Sequence, residues 1–545
     1  MKRAARFLGP VLVFGAYAAI VTTFLFTVPV WDGRQYFDQL LEAVQGPFDP
    51  MAFNLFGHPS MAYFLLVGAP QFLDPGNVPL LHLANALLGA LVLVAFHRIV
   101  RRVFPDADAV ETWLLVALMG LNPVFLACMA NLNADFGVLV FFLPVLVGLL
   151  ERRMVLTVVA GIGLVLSKES GLVLYGLAAA SHVVFHVLSD RESKGEGRAR
   201  RLLCQWPLVL PVVALAVYFA IRAATPDQPL LWKNQSAGSL IAALFTFDLD
   251  RPFLANLVVM FVLQFQWVVT LWVLAWGARW LWLRRRPDAP NPGDHARRMD
   301  LAFFGVLFLY ALFVLTRYKT YLNARYLLPL FPVWLLIATA SLRALWARRQ
   351  LIRKALLSLA VGLFLASVFF TVDPVSRAIF GTFPFGRHEL LAMTSLTNEY
   401  AGLGRDQLVY NLQYLWIGRL EDRFFADVRP TADTSILMHF EAHWYVAGPL
   451  DPDTLQRTMR TEGAVTPLYQ RVLDIQLGRI RPDTLWYLVF PNFADHGPEL
   501  EFLSSQYDVL EERTYEEDGY TLRAIRMKRR PDVVAPARTP FDVLL

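Results

Sequence analysis

Cysteine and charge are both scarce in this chain. Only two cysteines, Cys128 and Cys204, occur among 545 residues, and both lie in or beside apolar runs. A disulfide framework is therefore not expected, and the cysteines do not indicate a redox compartment. Charged residues make up 17% of the chain, whereas soluble domains carry about a quarter. That deficit argues against an ordinary soluble enzyme.

Two further features are missing. The first apolar run, residues 7–30, has no small-residue cleavage pattern after it and is longer than the core of a signal peptide. It predicts an uncleaved signal anchor. The sequence also lacks a basic stripe interleaved with aromatic residues, so the net charge of +5 is better explained by basic loops than by nucleic-acid binding.

Long apolar runs dominate what is present. Hydrophobic residues make up 56% of the chain, and many runs approach the roughly 20 residues that cross a bilayer as a helix. We predict about 11 transmembrane helices with a cytoplasmic N-terminus. The connectors that this count places inside are the basic ones: residues 98–102, 152–153, 191–201, 284–298 and 343–354.

The composition changes near residue 373. We predict a transmembrane module over residues 1–372, an outward α/β soluble domain over 373–530, and a disordered tail over 531–545. Within the soluble domain, strands are predicted at 408–410 and 485–490, a hairpin at 512–527 around Asp518-Gly519, and helices at 413–418, 452–461 and 467–477.

Ionisable residues collect in the loops that the topology places outside. They are Asp32, His58, Asp135, Lys168, Glu169 and Arg325. Placing a charged group at a membrane costs free energy, so these residues are candidates for function. Because they come from separate loops, they can meet only if the outer helix ends surround one cavity.

Two carboxylates are candidates for catalysis. Asp32, four residues before Tyr36, could act as a general base on an acceptor hydroxyl or amide, or it could only cap the short helix that begins near Gly33. Asp135, in the short turn before the span predicted at about residues 136–150, could orient the reacting groups, or it could only cap that span.

Three basic side chains are candidates for binding an anion. Arg325 lies in a loop with Arg317 and Lys319, against the usual scarcity of outward cations. Arg binds phosphate through two parallel hydrogen bonds, and Lys binds it as a point charge. Lys168 could instead form an ion pair with its neighbour Glu169. His58 could donate to a phosphate or cap a re-entrant helix.

Metal binding has weak support. His439, Glu441 and His443 would share one face of a strand, a spacing that can hold a metal, but a solvated surface explains it as well. Nothing in the sequence requires a cofactor, and a divalent metal is neither required nor excluded.

These residues together resemble a known family over residues 1–372. The motifs Trp31-Asp32-Gly33…Tyr36, His58-Pro59-Ser60, Lys168-Glu169 and Arg325-Tyr326-Leu327-Leu328-Pro329, with the short turn ending in Asp135, are similar to those of GT-C membrane glycosyltransferases. Protein O-mannosyltransferases and bacterial lipid A aminoarabinose transferases are the branches with the greatest resemblance. Gly33 and Ser60 depart from the mannosyltransferase pattern, which leaves the acceptor open.

The resemblance implies an inverting glycosyltransferase that uses a polyprenyl-phosphate sugar donor. It implies Asp32 and Asp135 as catalytic residues and Lys168, Arg325 and His58 as ligands of the donor phosphate. Further substrate contacts would come from Tyr36, Glu169 and Tyr326. The expected partners are the donor, a glycan, lipid or protein acceptor, and membrane lipids in a bacterial inner or plasma membrane, with no nucleic acid.

Two other classes remain as alternatives. A transporter or flippase for a lipid-linked or anionic substrate would place its ionisable groups near mid-bilayer, with broken helices and repeats. A scaffold or receptor would need no carboxylates and cations converging from separate loops.

Overall fold

The computed structural model describes much of the chain in detail. The described residues are 2–27, 29, 32–55, 58–188, 200, 202–224, 261–262, 266–284, 295–318, 324–369, 375, 377–378, 382–385, 388–391, 419–421, 423–429, 434–438, 457–458, 468–476, 478, 480–491 and 496–531. The chain forms two compact units. The first comprises Met1–Phe26, Gln39–Thr382 and Leu391–Val409, and the second Thr27–Asp38, Phe383–Leu390 and Tyr410–Leu545.

Helices account for most of the described first unit. The α-helices described before residue 370 are α1 (Lys2–Phe24), α2 (Asp32–Gln45), α3 (Met61–Gly68), α4 (Val78–Val103), α5 (Ala109–Gly120), α6 (Pro123–Ala130), α7 (Ala134–Leu150), α8 (Met154–Val165), α9 (Glu169–His182), α10 (Leu210–Ala224), α11 (Trp267–Arg284), α12 (His295–Tyr318), α13 (Phe331–Leu345) and α14 (Gln350–Phe369). A 3₁₀ helix, Ala324–Leu330, leads into α13.

Short polar residues define where several apolar helices begin. The side chains of Asn77, Asp108, Asn122 and Asn133 each accept a hydrogen bond from a backbone N–H in the first turn of the helix that follows. Each cap satisfies an amide that has no partner inside the helix. The sequence thus encodes sharp starts for α4 to α7.

Several helices have the length and composition needed to cross a membrane. Among the described residues, four qualify singly: Val78–Val103, Trp206–Ala224, Arg325–Leu345 and Gln350–Val368. Six shorter apolar helices accompany them. The chain is accordingly a multi-pass membrane protein, and the predicted total of about 11 spans stays a prediction.

The apolar run over residues 111–130, which the predicted topology counts as its third span, is not a single straight helix. The structure breaks it into α5 and α6, which bend by 50°. Pro123 has no N–H to continue the helix, and the Asn122 side chain caps α6 by accepting from the Phe125 N–H at 3.0 Å. Hydrophobicity is continuous across the break, so it did not reveal the bend.

Helix α7 lies at the centre of this unit. It is apolar all round and is buried along nearly its whole length, packing against α4, α8 and α9. At Gly137 a Cβ atom would come within 2.5 Å of the Tyr63 ring, so only glycine allows α3 to approach this closely. The Tyr63 hydroxyl donates to the Asn85 side chain at 2.8 Å.

A buried ionic cluster joins the starts of α5 and α14 to the end of α13. Arg343 Nη1 lies 3.0 Å from Glu111 Oε1, and Arg343 also pairs with Asp106. Arg353 Nη2 lies 3.4 Å from Glu111 Oε2. Both arginines therefore have carboxylate partners.

The second unit contains a mixed sheet with helices. Its described strands and helices are β1 (Thr382–Phe385), β2 (His388–Leu391), β3 (Ser435–Met438), β4 (Arg457–Thr458), β5 (Leu468–Arg471), α15 (Val472–Gln476), β6 (Thr484–Val489), α16 (Gly497–Gln506), β7 (Tyr507–Glu517) and β8 (Tyr520–Arg529). Thr382 of β1 and Leu391 of β2 belong to the first unit. A six-stranded sheet has the order β4-β5-β3-β6-β8-β7, with β3 parallel to both β5 and β6.

The sequence predictions for this unit have mixed outcomes. The buried strand at 485–490 is confirmed as β6, and the hairpin is confirmed as β7–β8, with Asp518 and Gly519 both at positive φ, 54° and 81°. The predicted helix 467–477 is wrong over β5, which pairs in parallel with β3. The predicted helix 452–461 is wrong at β4. Predictions at 408–410 and 413–418 lie outside the described residues.

Candidate functional site

The turn at His58 is closed by its own hydrogen bonds. The Leu55 N–H donates to the Ser60 hydroxyl at 2.9 Å, and the His58 N–H donates to the Leu55 carbonyl at 3.1 Å. Ser60 is fully buried. The serine therefore fixes the backbone that carries the imidazole.

A second turn, between α8 and α9, is locked against the first. The Ala62 N–H donates to the Leu166 carbonyl at 3.0 Å, and the Gly171 N–H donates to the Lys168 carbonyl at 2.9 Å. A Cβ atom on Gly171 would lie 2.0 Å from the Leu164 carbonyl oxygen. The close approach of α8 and α9 therefore requires glycine here.

Asp135 is a counter-ion for two cations. It lies in the first turn of α7 and is 2% exposed, and Lys168 Nζ donates to its two oxygens at 2.8 and 2.7 Å. Arg325 Nε approaches the same carboxylate at 3.8 Å. Because both oxygens accept from Lys168, the geometry favours an orienting role for Asp135 over that of a base.

Glu169 pairs with His58. His58 Nδ1 lies 2.6 Å from Glu169 Oε1, with side-chain exposures of 25% and 5%. The pairing differs from the ion pair between the sequence neighbours Lys168 and Glu169 that we considered from the sequence. Lys168 is in extended backbone and Glu169 begins a helix, so the two side chains serve different partners.

The 3₁₀ helix before α13 supplies an aromatic ring and a guanidinium. Lys168 Nζ lies 4.5 Å from the centroid of the Tyr326 ring, and Arg325 Cζ lies 5.6 Å from it. Such cation–π contacts stabilise desolvated cations. Tyr326 thus helps to hold both cations beside Asp135.

The charge on Lys168 is preserved although the side chain is buried. Lys168 lies in the connector between α8 and α9. Burial alone would lower its pKa, but the Asp135 carboxylate outweighs burial and raises the pKa of Lys168 above its ordinary value. Lys168 and Arg325 balance the charges of Asp135 and Glu169, and the partly exposed His58 completes the group, called the charged cluster below.

Most of the chain is similar in structure to a crystallised protein named ArnT. In its apo state, ArnT from Cupriavidus metallidurans is 15% identical to this chain, with a TM-score of 0.52 and coverage of 94% of this chain and 97% of that one. The structure of the same protein bound to undecaprenyl phosphate has a TM-score of 0.50 and 15% identity, covering 97% and 99%. The chain has the GT-C fold. The resemblance noted in the sequence is therefore confirmed at the level of the fold.

A third solved structure is less similar to this chain. The apo oligosaccharyltransferase of Archaeoglobus fulgidus is 14% identical, with a TM-score of 0.41 and coverage of 80% of this chain and 63% of that one. No family model and no curated protein sequence matches the chain.

The first-loop residues lie at the start of α2 in this GT-C fold. Asp32 is the first residue of the helix, and its side chain lies outside the described part of the structure. Tyr36 is buried. Their predicted roles in catalysis and substrate binding stay predictions.

Arg222 is a buried basic residue that we did not single out from the sequence. Arg222, near the C-terminal end of α10, is 4% exposed, and its Nη1 donates to the Tyr218 hydroxyl at 2.6 Å. Its position could have drawn attention to it, because the predicted topology ends a span on the outward side at about residue 222. Cations are scarce on that side of a membrane protein.

No metal centre is found in the part of the chain that is described, where no group of three metal-binding side chains converges. The motif from His439 to His443 lies outside that part. In the charged cluster, the Asp135 carboxylate lies against Lys168 and Arg325, and the Glu169 carboxylate lies against His58.

Proposed function

We propose that this protein is an inverting glycosyltransferase that moves a sugar from a polyprenyl-phosphate-linked donor to an acceptor at the outer face of the membrane. The charged cluster carries the proposal. Four separate segments of one membrane unit deliver His58, Asp135, Lys168, Glu169 and Arg325 to one another. The GT-C fold, and the undecaprenyl phosphate bound to a structure with that fold, support it.

The cations fit the leaving group of this reaction. A lipid-linked donor diffuses in the bilayer and brings its phosphate to the interface. Departure of polyprenyl phosphate develops negative charge, which Lys168 and Arg325 would stabilise at fixed positions. Asp135 would hold Lys168 in place, and His58, oriented by Glu169, would donate to the same phosphate.

The base would be Asp32. It would take the proton of the acceptor hydroxyl or amide, and the acceptor would attack the anomeric carbon as the bond to the phosphate oxygen breaks. A single displacement inverts the anomeric carbon, without a covalent glycosyl-enzyme. Tyr36 and Tyr326 would contact the substrates.

The proposal includes a location and an orientation. The protein would lie in a bacterial inner or plasma membrane, with the N-terminus in the cytoplasm and the predicted soluble domain, residues 373–530, outside. The basic connectors support this orientation, because cytoplasmic loops carry an excess of Lys and Arg.

The deciding experiment presents the purified protein with a panel of labelled polyprenyl-phosphate sugars and candidate acceptors. We expect transfer with at least one donor, and Asp32→Asn should abolish it because Asn cannot accept the proton. Glu42→Gln, on the exposed face of the same helix, is the matched control and should retain activity. Near-normal turnover by Asp32→Asn would remove Asp32 as the base, and labelled lipid crossing the bilayer without transfer would favour a flippase.

A further inference from the structure

Arg222 differs from the other buried or largely buried arginines described in the first unit. Arg325, Arg343 and Arg353 each have a carboxylate within 4.0 Å. Across the described residues, Arg222 has no such carboxylate, and its described side-chain hydrogen bond goes to the neutral hydroxyl of Tyr218. Its Nε is buried and has no hydrogen-bond partner within the described part of the chain.

A buried guanidinium without a counter-ion is unfavourable. Removing a cation from water is costly, and a neutral hydroxyl returns little of that cost. Such a residue is retained most readily when an anionic ligand supplies the missing charge. Arg222 also presents several N–H groups in a fork that matches the oxygens of a phosphate.

Arg222 belongs to the same compact unit as the charged cluster. The two permanent cations of that cluster, Lys168 and Arg325, already match its two carboxylates in charge. The cluster therefore leaves no carboxylate over to compensate Arg222.

We propose that Arg222, held by Tyr218, forms an anion subsite for a phosphate group. This subsite rests on the proposed function, since it would serve the same transfer reaction. Two sources carry that chemistry: the phosphate of the lipid-linked donor, or a phosphate on the acceptor.

Binding measurements test the subsite without requiring turnover. Full-length protein in nanodiscs is titrated with undecaprenyl phosphate, with undecaprenol, and with inorganic phosphate at saturating undecaprenyl phosphate, and thermal stabilisation is recorded. If the donor is the source, Arg222→Gln should weaken undecaprenyl phosphate by about tenfold or more and leave undecaprenol unchanged. If the acceptor is the source, Arg222→Gln should instead abolish stabilisation by inorganic phosphate.

Matched variants separate binding from folding. Arg343→Gln removes a buried arginine that has carboxylate partners, so it should lower the melting temperature and leave both phosphate titrations unchanged. Arg222→Lys retains the charge and provides a folded variant if Arg222→Gln is unstable, and it should show an intermediate loss.

The proposal is overturned if both titrations of a folded Arg222 variant stay within twofold of wild type. Equal losses in the Arg222 and Arg343 variants would also overturn it, because they would show a general effect on folding. Failure of the proposed function would look different. It would appear as no transfer from any labelled donor, whatever the binding of phosphate.

Discussion

Replacing Arg325 by lysine should impair use of the donor and leave the fold nearly intact. In the structure Arg325 Nε lies 3.8 Å from Asp135, and the side chain is 13% exposed. A contact of that length is an ion pair rather than a hydrogen bond. Lysine keeps the charge, and Lys168 continues to hold Asp135 through two short hydrogen bonds. The substitution therefore keeps the attraction between a cation at this position and Asp135.

The expected loss comes from the planar fork of the guanidinium. If Arg325 binds the donor phosphate through two hydrogen bonds, lysine loses about one charge-assisted bond, worth about 1.5–3 kcal/mol. At about 1.4 kcal/mol per factor of ten, the apparent KM for the donor should rise about 10- to 150-fold. Arg325→Ala should raise it further.

Donor-concentration curves and melting temperatures, measured on the same preparations, check this. Arg343→Lys is the control, since the Arg343 fork is occupied by Glu111 and Asp106 at the opposite end of α13. It should lower the melting temperature and leave the donor KM unchanged. The reasoning is refuted if Arg325→Lys lowers the melting temperature while the donor curve stays that of wild type.

Two further predictions concern topology and packing. The topology is tested in intact cells that express protein lacking Cys204. Ser193→Cys should be protected from an impermeant thiol reagent and Ser504→Cys should react, because the basic connectors place residues 189–201 inside. The reverse pattern would overturn the orientation. Gly171→Ala should destabilise the protein by about 1–3 kcal/mol, since its Cβ would meet a backbone carbonyl oxygen of α8 at 2.0 Å. Gly176→Ala, on the same helix with open space around it, should not; equal melting temperatures for the two alanine variants would contradict the packing argument.

The second unit shows where local signals are sufficient. The β7–β8 hairpin could be predicted because Asp518-Gly519 favours the positive φ angles that the turn requires. The strand β6 was visible as a short apolar run. β5 was mistaken for part of a helix because its strand conformation depends on pairing with β3, about 30 residues earlier in the chain.

The sequence by itself determined the membrane class, the GT-C resemblance and the identity of the polar residues at the helix ends. Composition, hydrophobic run length and capping residues act locally, so they can be recognised without coordinates. The sequence also singled out six residues that should meet, namely Asp32, His58, Asp135, Lys168, Glu169 and Arg325.

Only the tertiary structure decided which of these residues are partners. Lys168 is bonded to Asp135, and its neighbour Glu169 is bonded to His58, because helix ends from distant segments meet at the turn between α8 and α9. The isolation of Arg222 from any described carboxylate was equally hidden. Ion pairing depends on distances of a few ångströms between separate helices, and neither hydrophobic periodicity nor charge counting along the chain contains those distances.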